Sequence, residues 1–410
     1  MLIRLVVSAL TAFALFLPAA ERIPLTGNIT DPSGAPLEGA TVMVWKAGVR
    51  QGYSTFCPSC YVDCGKRAVT DRAGAYSFQG LDSDLIFELL VIRDGYSPAF
   101  IERVDPLKGS AKTKPLSMRP PVDDPEREVR GRVVDAQGTP MAGAVVQPEG
   151  VETLDGMSRY GEIKGLEPVA VTNASGDFNL AFAQKATGMV LLVEARAMAP
   201  KIVTATTGEQ RQTIAVSDGS VIRGRLLNNG KPVANAQLGL SPVQRGGWGG
   251  HLKIVGCPYT EIRIGTQPDG SFAITNVPTG VQWALYGRMD SIHALGATPP
   301  VEFTTSRDLE EVNAGDIEIR HGDRIRGTVT LSDGLSIPAG MRITMGPKIG
   351  QDARSVVIGS DGAFEFDGLP AGDYNIFASV RGYQQKTEQV IKVKGDIANL
   401  PIVMEPRAQR

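Results

Sequence analysis

Residues 129–146 read V-R-G-R-V-V-D-A-Q-G-T-P-M-A-G-A-V-V, and this stretch decides the fold because related phrases occur four times along the chain. Alternating segments at 130–135 and 143–146 flank a turn that contains Gly138 and Pro140. A glycine supplies the positive φ that a tight turn needs, and a proline presets its own φ. The stretch therefore predicts two strands joined by a turn. The related phrases begin at Thr26, Arg223 and, with a lengthened turn, Arg326.

Each opening phrase is followed by a second phrase, in which a turn glycine precedes alternating aromatic, polar and apolar residues. Its copies lie at residues 70–78, 172–180, 266–274 and 360–366. Such a pattern predicts a β-hairpin whose aromatic residues face the core. The predicted core aromatics are Phe78, Phe178, Phe272 and Phe364.

The spacing of the opening phrases indicates four similar domains. Gly27, Gly131, Gly224 and Gly327 follow one another at intervals of about one hundred residues, which is the length of a β-sandwich domain of about seven strands. No segment shows helical periodicity sustained over three turns. The sequence therefore predicts an all-β chain of four tandem Greek-key β-sandwich domains, at residues 22–120, 128–217, 221–319 and 323–407.

The N-terminal segment differs from the rest of the chain. Arg4 precedes an apolar run at residues 5–17, and the segment ends in the small residues Ala19 and Ala20. This is the pattern of a secretory signal peptide, and the run is shorter than the ~20 residues of a membrane-spanning helix. Residues 1–20 are therefore predicted to form a signal-peptide helix. The mature chain is predicted to be extracytoplasmic (periplasmic, secreted or at the cell surface) and to have no membrane span.

The two phrases together resemble the carboxypeptidase regulatory-like domain, a transthyretin-like sandwich of seven strands. The resemblance rests on G-x-V-x-D-x-x-G-x-P-x-x-G-A-x-V followed by T-D-x-x-G-x-[YF]-x-F, and it covers the mature chain as four copies. In the fourth copy it is carried by the second phrase. The resemblance implies non-catalytic modules. In that family such modules accompany zinc carboxypeptidases, outer-membrane transporters and surface adhesins, and related sandwiches bind carbohydrate.

Side chains suited to catalysis or metal binding are scarce. The three histidines are His251, His293 and His321, and none begins the His-x-x-Glu pattern of a zinc carboxypeptidase. No Gly-x-Ser-x-Gly elbow, P-loop or dinucleotide fingerprint stands in a strand-to-helix context. The sequence therefore predicts no catalytic residue, no metal ligand and no cofactor. The net charge of −2 also gives no reason to expect a nucleic-acid partner.

Between its two phrases, each of the first three repeats carries a longer segment than the fourth repeat does. These segments contain the candidate ligand-binding residues, which are Tyr53, Phe56, Tyr61, Tyr160, Trp248, His251 and Tyr259. Exposed aromatic rings on the loops of a rigid scaffold suit stacking against sugar rings or peptides. The alternative interpretation is that these rings close the open end of each core.

All four cysteines lie in the same segments. Cys57, Cys60 and Cys64 belong to the first repeat, and Cys257 belongs to the third. An exported chain meets oxidising conditions, and a short loop costs little entropy to close. The favoured interpretation is a local disulfide from Cys57 or Cys60 to Cys64. A zinc site and free thiols are the alternatives.

The leading functional hypothesis is an exported, non-catalytic binding or structural protein, adhesin-like or carbohydrate-binding, whose partner is a glycan or a cell-envelope protein. The alternative is an accessory subunit that positions substrate for an exported hydrolase or peptidase, or that serves an outer-membrane transporter system. Both hypotheses follow from a scaffold of sandwiches without a recognisable catalytic constellation.

Overall fold

The first two repeats consist of strands joined by turns. The structure is a computed structural model that describes residues 22–50, 58, 61, 63–161, 163–243, 261–350, 352–386 and 389–407; the predicted signal-peptide helix at residues 1–20 lies outside them. The strands of the first repeat are β1 (Arg22–Thr30), β2 (Thr41–Val49), β3 (Arg67–Val69), β4 (Ala75–Asp82), β5 (Leu85–Ile92), β6 (Ala99–Val104) and β7 (Lys114–Pro115). Those of the second are β8 (Glu128–Val134), β9 (Val145–Glu152), β10 (Ser158–Tyr160), β11 (Ala170–Val171), β12 (Asp177–Ala181), β13 (Gly188–Glu194), β14 (Lys201–Thr206) and β15 (Gln212–Ala215).

The last two repeats follow the same plan. The third contains β16 (Ser220–Asn228), β17 (Lys231–Pro232), β18 (Gln237–Pro242), β19 (Ile262–Gly265), β20 (Ser271–Val277), β21 (Val281–Gly287), β22 (Val301–Thr305) and β23 (Glu311–Ile319). The fourth contains β24 (Asp323–Leu331), β25 (Arg342–Pro347), β26 (Arg354–Val357), β27 (Ala363–Leu369), β28 (Gly372–Ser379), β29 (Tyr383–Gln385), β30 (Gln389–Val393) and β31 (Ile397–Pro406). A four-residue helix, α1 (Met289–Ile292), follows β21, and 3-10 turns lie at Pro106–Lys108 and Pro125–Arg127.

Every repeat forms two sheets with the same central pairings. In one sheet the first strand pairs antiparallel with the strand of the second phrase and parallel with the last strand of the repeat, as in β12-β8-β15 and β27-β24-β31. In the other sheet the second strand is central, as in β3-β2-β5-β6 and β26-β25-β28-β30. The prediction of an all-β chain of tandem sandwiches is confirmed.

Each core lies between the two sheets of its repeat, because alternate residues of each strand point to one face. In the second repeat, Val133 and Phe178 from one sheet pack in the same buried cluster as Val146 and Leu191 from the other. The four predicted core aromatics are all buried, with 3–5% of each residue exposed.

Contacts group the chain into two units. The first comprises Met1–Val91 and Ala99–Met118, and the second comprises Ile92–Pro98 and Arg119–Arg410. The second, third and fourth repeats therefore belong to one unit, and the boundaries predicted between them stay a prediction. Among the residues that the structure describes, no helix is long and apolar enough to cross a membrane.

The hairpin predicted for the second phrase is wrong. In the second repeat, β11 pairs with β9 while β12 pairs with β8, so the turn between them carries the chain from one sheet to the other. The opening phrase crosses between the sheets in the same way, because β8 and β9 also lie in opposite sheets. The local turn signals specify φ but not the sheet that the next strand joins.

A buried threonine joins the two crossing turns in each of the first three repeats. In the second repeat, Thr172 Oγ1 accepts a hydrogen bond from Ala144 N and donates one to Met141 O. Thr70 and Thr266 make the equivalent pairs of bonds. In the fourth repeat the buried Ile358 takes this place and keeps the backbone bond, from its N–H to Met341 O at 2.9 Å.

Two glycines show why the phrases need glycine. Gly176 has φ of 75°, and a Cβ there would lie 2.5 Å from Val133 O, so a side chain would strain both the backbone and the packing. A Cβ on Gly131 would lie 2.4 Å from the Phe178 ring. The ring of the second phrase therefore lies directly over the glycine of the opening strand. In the first repeat the residue opposite Gly27 is Tyr76 rather than Phe78, so Tyr76 is the true equivalent of Phe178.

Candidate functional site

A cavity of about 430 Å³ lies within the second unit, where the third and fourth repeats meet. Both repeats line it, with Tyr286, Met289 and Pro300 from the third and Ile349, Asp352 and Tyr374 from the fourth. The volume falls in the range of small-molecule sites, about 300–1,000 Å³. The cavity is the candidate functional site.

The walls of the cavity are fixed by α1, which reaches from the third repeat into the fourth. Met289 is 2% exposed and belongs to the hydrophobic core of the fourth repeat. Its backbone N–H donates to Asp352 Oδ2 at 2.7 Å. Only residues 320–322 separate β23 from β24. The two repeats are therefore held in close contact by the burial of Met289, by its hydrogen bond to Asp352 and by the short connection.

A second set of contacts fixes the end of α1 against the fourth repeat. Arg354 Nη1 lies 2.7 Å from Asp367 Oδ1, and the same carboxylate oxygen lies 3.1 Å from His293 Nδ1. A Cβ on Gly368 would lie 2.5 Å from both Cα and O of His293. This close approach is possible only because residue 368 has no side chain.

Asp352 is the most unusual group in the cavity. Its side chain is 5% exposed, and its Oδ1 has no hydrogen-bond partner among the described residues. The nearest cation is Arg288, whose Nε lies 3.9 Å from Oδ1. Burial raises the pKa of the Asp352 carboxyl to about 7, although the Met289 N–H and the Arg288 charge oppose the rise. A buried carboxylate oxygen without a donor is costly, so the raised pKa of Asp352 favours its neutral form, and Oδ1 is an unsatisfied acceptor when the carboxyl is ionised.

The guanidinium of Arg288 is paired with a second carboxylate, that of Glu261. Arg288 Nη1 lies 2.7 Å from Glu261 Oε2, and the Glu261 side chain is 5% exposed. Glu261 Oε1 also accepts from the hydroxyl of Tyr286 at 2.8 Å. Tyr286 is thereby oriented at the cavity wall, and Arg288 compensates Glu261 better than it compensates Asp352.

On the opposite wall, Tyr374 is 1% exposed and its hydroxyl donates to Pro370 O at 2.7 Å. Burial, with the nearby charges of Asp352 and Asp323, raises the pKa of the Tyr374 phenol above its ordinary value. Among the described residues that line the cavity there is no serine, cysteine or histidine. An apolar cavity with one buried carboxyl group is an arrangement suited to binding.

Of the seven predicted ligand-binding residues, Tyr61 and Tyr160 are described by the structure, and neither lines this cavity. Tyr53, Phe56, Trp248, His251 and Tyr259 lie outside the described residues. Tyr61 and Tyr160 are half-buried. A Cβ on Gly150 would lie 2.7 Å from Tyr160 Cδ1, so this ring packs on its own sheet. The role of these seven residues in binding stays a prediction.

The disulfide predicted for Cys64 is not formed. Cys64 carries a free thiol, which donates to Pro58 O at 3.4 Å. Burial raises the pKa of this thiol, and a smaller contribution in the same direction comes from the charge of Asp63. A buried, protonated thiol is a poor nucleophile for disulfide formation. Cys57, Cys60 and Cys257 lie outside the described residues.

The same segment of the first repeat contains a buried ion cluster that the sequence did not indicate. The side chain of Asp63 is 1% exposed, and its carboxylate lies 2.7 Å from Arg22 Nη1 and 2.6 Å from Lys66 Nζ. The Asp82 N–H also donates to it at 2.9 Å. Burial alone would raise the pKa of Asp63, but the Lys66, Asp82 and Arg22 interactions together hold it below its usual value. This aspartate is therefore a structural anion.

One group of side chains in the described part of the chain has the geometry of a metal site. Ligand atoms of His321, Asp323 and Asp396 lie within 4.8 Å of one another. Asp323 Oδ2 already accepts from Gly395 N at 3.0 Å, and Asp396 Oδ1 accepts from Arg324 N at 2.8 Å. The carboxylates thus join the start of β24 to the turn before β31, and this role accounts for their positions.

Two family models match parts of the chain. Residues 324–405, which are nearly all of the fourth repeat, match the carboxypeptidase regulatory-like domain. Residues 9–84 match a dioxygenase model. That stretch contains no histidine, which is a usual ligand of the iron in non-haem oxygenases. No curated protein matches the sequence.

Several solved structures resemble the chain weakly. The TIE protein of Bacillus anthracis is 9% identical over 90% of this chain and 69% of its own, with a TM-score of 0.20. A streptococcal ancillary pilin is 11% identical over 68% and 100%, with a TM-score of 0.21. The major pilin subunit BcpA of Bacillus cereus is 13% identical over 72% and 99%, with a TM-score of 0.19. Scores this low do not establish a shared arrangement. The chain resembles tandem carboxypeptidase regulatory-like domains, and its fourth repeat carries the family match.

Proposed function

We propose that the chain is an exported, non-catalytic binding protein of the cell envelope, and that its partner is a glycan or an envelope protein. The observation that carries the proposal is the cavity of about 430 Å³ between the third and fourth repeats. Its walls are largely apolar and aromatic, the polar lining residues include Thr298, Glu302, Lys348 and Asp373, and Asp352 supplies the buried carboxyl group. These are the features of a specific binding pocket.

The cavity supports this function because contacts within the protein fix its walls. Met289 is anchored in the core of the fourth repeat, and Gly368 lies against the end of α1, where a Cβ on Gly368 would lie 2.5 Å from His293 Cα. A ligand would therefore not have to order the walls, so little of its binding free energy would be lost to conformational entropy. A structural role is compatible with the same scaffold, in which every repeat has its own sheets.

The test is a glycan array probed with the mature full-length chain, together with a pull-down from an envelope extract. Ala371 lines the cavity. We expect Ala371→Trp to fill the cavity and to abolish both glycan binding on the array and capture of a partner in the pull-down. The matched control is Ala136→Trp, because Ala136 is an exposed residue of a turn in the second repeat. An unchanged signal for Ala371→Trp, with both variants folded, would exclude the cavity as the binding site.

A further inference from the structure

We propose that the cavity binds an alkylammonium group, as on a lysine side chain, with the ammonium against Asp352 and the aliphatic stem along the apolar walls. This inference rests on the proposed binding function and specifies its ligand chemistry. The alkylammonium group could belong to a free amine or to a lysine of a partner polypeptide, and the experiment below distinguishes these sources.

The first support is the unsatisfied oxygen of Asp352. Oδ2 already accepts the Met289 N–H at 2.7 Å, while Oδ1 accepts nothing and Arg288 Nε remains 3.9 Å away. In the ionised carboxyl this buried oxygen has a desolvation cost, and a group that removes the cost must donate a hydrogen bond. An ammonium carries three donors and a positive charge, so it matches both the orphan oxygen and the ionised form of the carboxyl.

The second support is the charge of the cavity. Three carboxyl groups line it, on Glu302, Asp352 and Asp373, against one cation, Lys348. Behind them, Glu261 is paired with both Arg288, at 2.7 Å, and Arg263, at 2.6 Å, so this cluster has one net positive charge and the surroundings of the cavity keep a negative excess. The excess of negative groups attracts a cation and disfavours an anionic ligand.

The third support is the apolar character of the remaining lining. Met289, Pro300, Pro347, Ile349 and Pro370 contribute to the walls. These residues offer few hydrogen bonds to a polar ligand, because a proline has no N–H and the side chains of Met and Ile are apolar. An aliphatic stem buries its methylene groups against such surfaces while its head stays at a polar site.

The experiment uses ligand-observed NMR and isothermal titration calorimetry on the mature full-length chain. The probes are Nα-acetyl-lysine amide, its norleucine counterpart, which has the same aliphatic stem without the ammonium, and cadaverine as a free amine. We expect the lysine probe to bind at least about tenfold more tightly than the norleucine probe. Binding of cadaverine as well would assign the site to free amines, whereas binding of the lysine probe alone would assign it to a polypeptide.

Two variants test the role of the charges. Asp352→Asn retains an acceptor for the Met289 N–H, and it should weaken the lysine probe to the level of the norleucine probe. Lys348→Gln removes the lining cation, and it should strengthen lysine binding, an effect that a merely structural role would not produce. Asp361→Asn, in an exposed turn of the fourth repeat, is the control and should leave binding unchanged.

The outcomes separate this inference from the proposed function. If the lysine and norleucine probes bind equally, and Asp352→Asn has no effect, the cavity is a binding site but the alkylammonium inference is wrong. If no probe binds while the array signal still depends on residue 371, the inference is again wrong and the proposed function stands. If that array signal is also absent, both fail.

Discussion

Asp352 and Met289 join the third and fourth repeats through one carboxylate oxygen, at 2.7 Å from the Met289 backbone nitrogen, while the second oxygen of the same carboxyl has no donor. The two oxygens therefore have different roles. One holds α1 against the fourth repeat, and the other is an unsatisfied oxygen of a residue that lines the cavity. This asymmetry links the stability of the junction to the chemistry of the proposed site.

The first prediction concerns the pH dependence of this junction. Because the pKa of Asp352 is raised to about 7 from its ordinary 3.8, the folded state retains a proton that the unfolded state releases. The stabilisation is therefore complete below the ordinary pKa, and it is lost as the pH rises through about 7. The charged and titratable groups around Asp352 are Arg288, Glu261, Asp290, Lys348 and Tyr374.

Calorimetry from mildly acidic to mildly alkaline pH checks this prediction. We expect the unfolding free energy of the wild type to fall with pH relative to that of Asp352→Asn, by a few kcal/mol at most. The variant cannot ionise at residue 352, so the difference isolates this one group. Parallel curves for the two proteins would show that Asp352 is already ionised in the folded state.

The second prediction concerns Asp63, a buried aspartate whose pKa shifts the other way. Its pKa is lowered because Lys66, the Asp82 N–H and Arg22 outweigh the effect of burial. Its stabilisation is thus present above the ordinary pKa and is lost as the pH falls through the lower, folded value. Asp63→Asn should cost the first repeat about 2–3 kcal/mol at neutral pH, since it removes the partner of two cations.

Chemical denaturation followed in the first repeat measures that cost. The control is Glu38→Gln, which removes an exposed pair in which Arg72 Nε lies 3.9 Å from Glu38 Oε1. Exposed pairs contribute little, so this variant should be nearly neutral. Equal effects of the two substitutions would contradict the structural role of Asp63.

The third prediction concerns the buried threonine that joins the crossing turns. Thr172→Val should destabilise the second repeat by about 1–3 kcal/mol, because Ala144 N and Met141 O would lose a side-chain partner. The isosteric change keeps the volume and removes only the hydroxyl. Thr213→Val, at an exposed position of β15, should change the unfolding free energy by less than about 0.5 kcal/mol. Urea denaturation of the wild type and the two variants measures these changes. Similar losses of unfolding free energy in Thr172→Val and Thr213→Val would contradict the stabilising role of the Thr172 hydrogen bonds.

The fourth prediction concerns the aromatic ring over the opening strand. Phe178→Ala should cost about 3–5 kcal/mol, since the ring fills the space above Gly131 and the cavity left behind would collapse only in part. Hydrogen exchange should show the loss of protection at residues 128–217. Protection in the first repeat should not change, because distant sites act independently. An equal loss in all four repeats would contradict the presence of separate cores.

The sequence predicted the parts of the fold that depend on local patterns. The recurrence of Gly131-like and Phe178-like positions identified four similar repeats and the buried aromatics, because the period of two in a strand is visible in the residues themselves. The equivalence of Phe78 with Phe178 was wrong. Tyr76 follows Gly74 by two residues, as Phe178 follows Gly176, and Tyr76 lies opposite Gly27 in the strand register.

The candidate site could not be predicted from such patterns. Asp352, Arg288 and Glu261 come from different strands or loops of two repeats, and their approach depends on how those repeats pack. The helix α1 has four residues, which is too short for a helical period to appear. In the sequence, Met289 cannot be distinguished from other core methionines. Its role at the junction is visible only in the structure, where it is buried in the core of the fourth repeat.

The parallel pairing of the first strand with the last strand of the repeat has a mechanical consequence. Because the two strands run in the same direction, tension on the two ends of a repeat pulls them past each other and loads their hydrogen bonds in shear, all at once. The pairing involves two residue pairs for β1 with β7, but it extends from Val221 to Asn228 along β16 and from Ile325 to Leu331 along β24. Under a pulling force the third and fourth repeats should therefore yield last, which would keep the walls of the cavity intact while the first repeat extends.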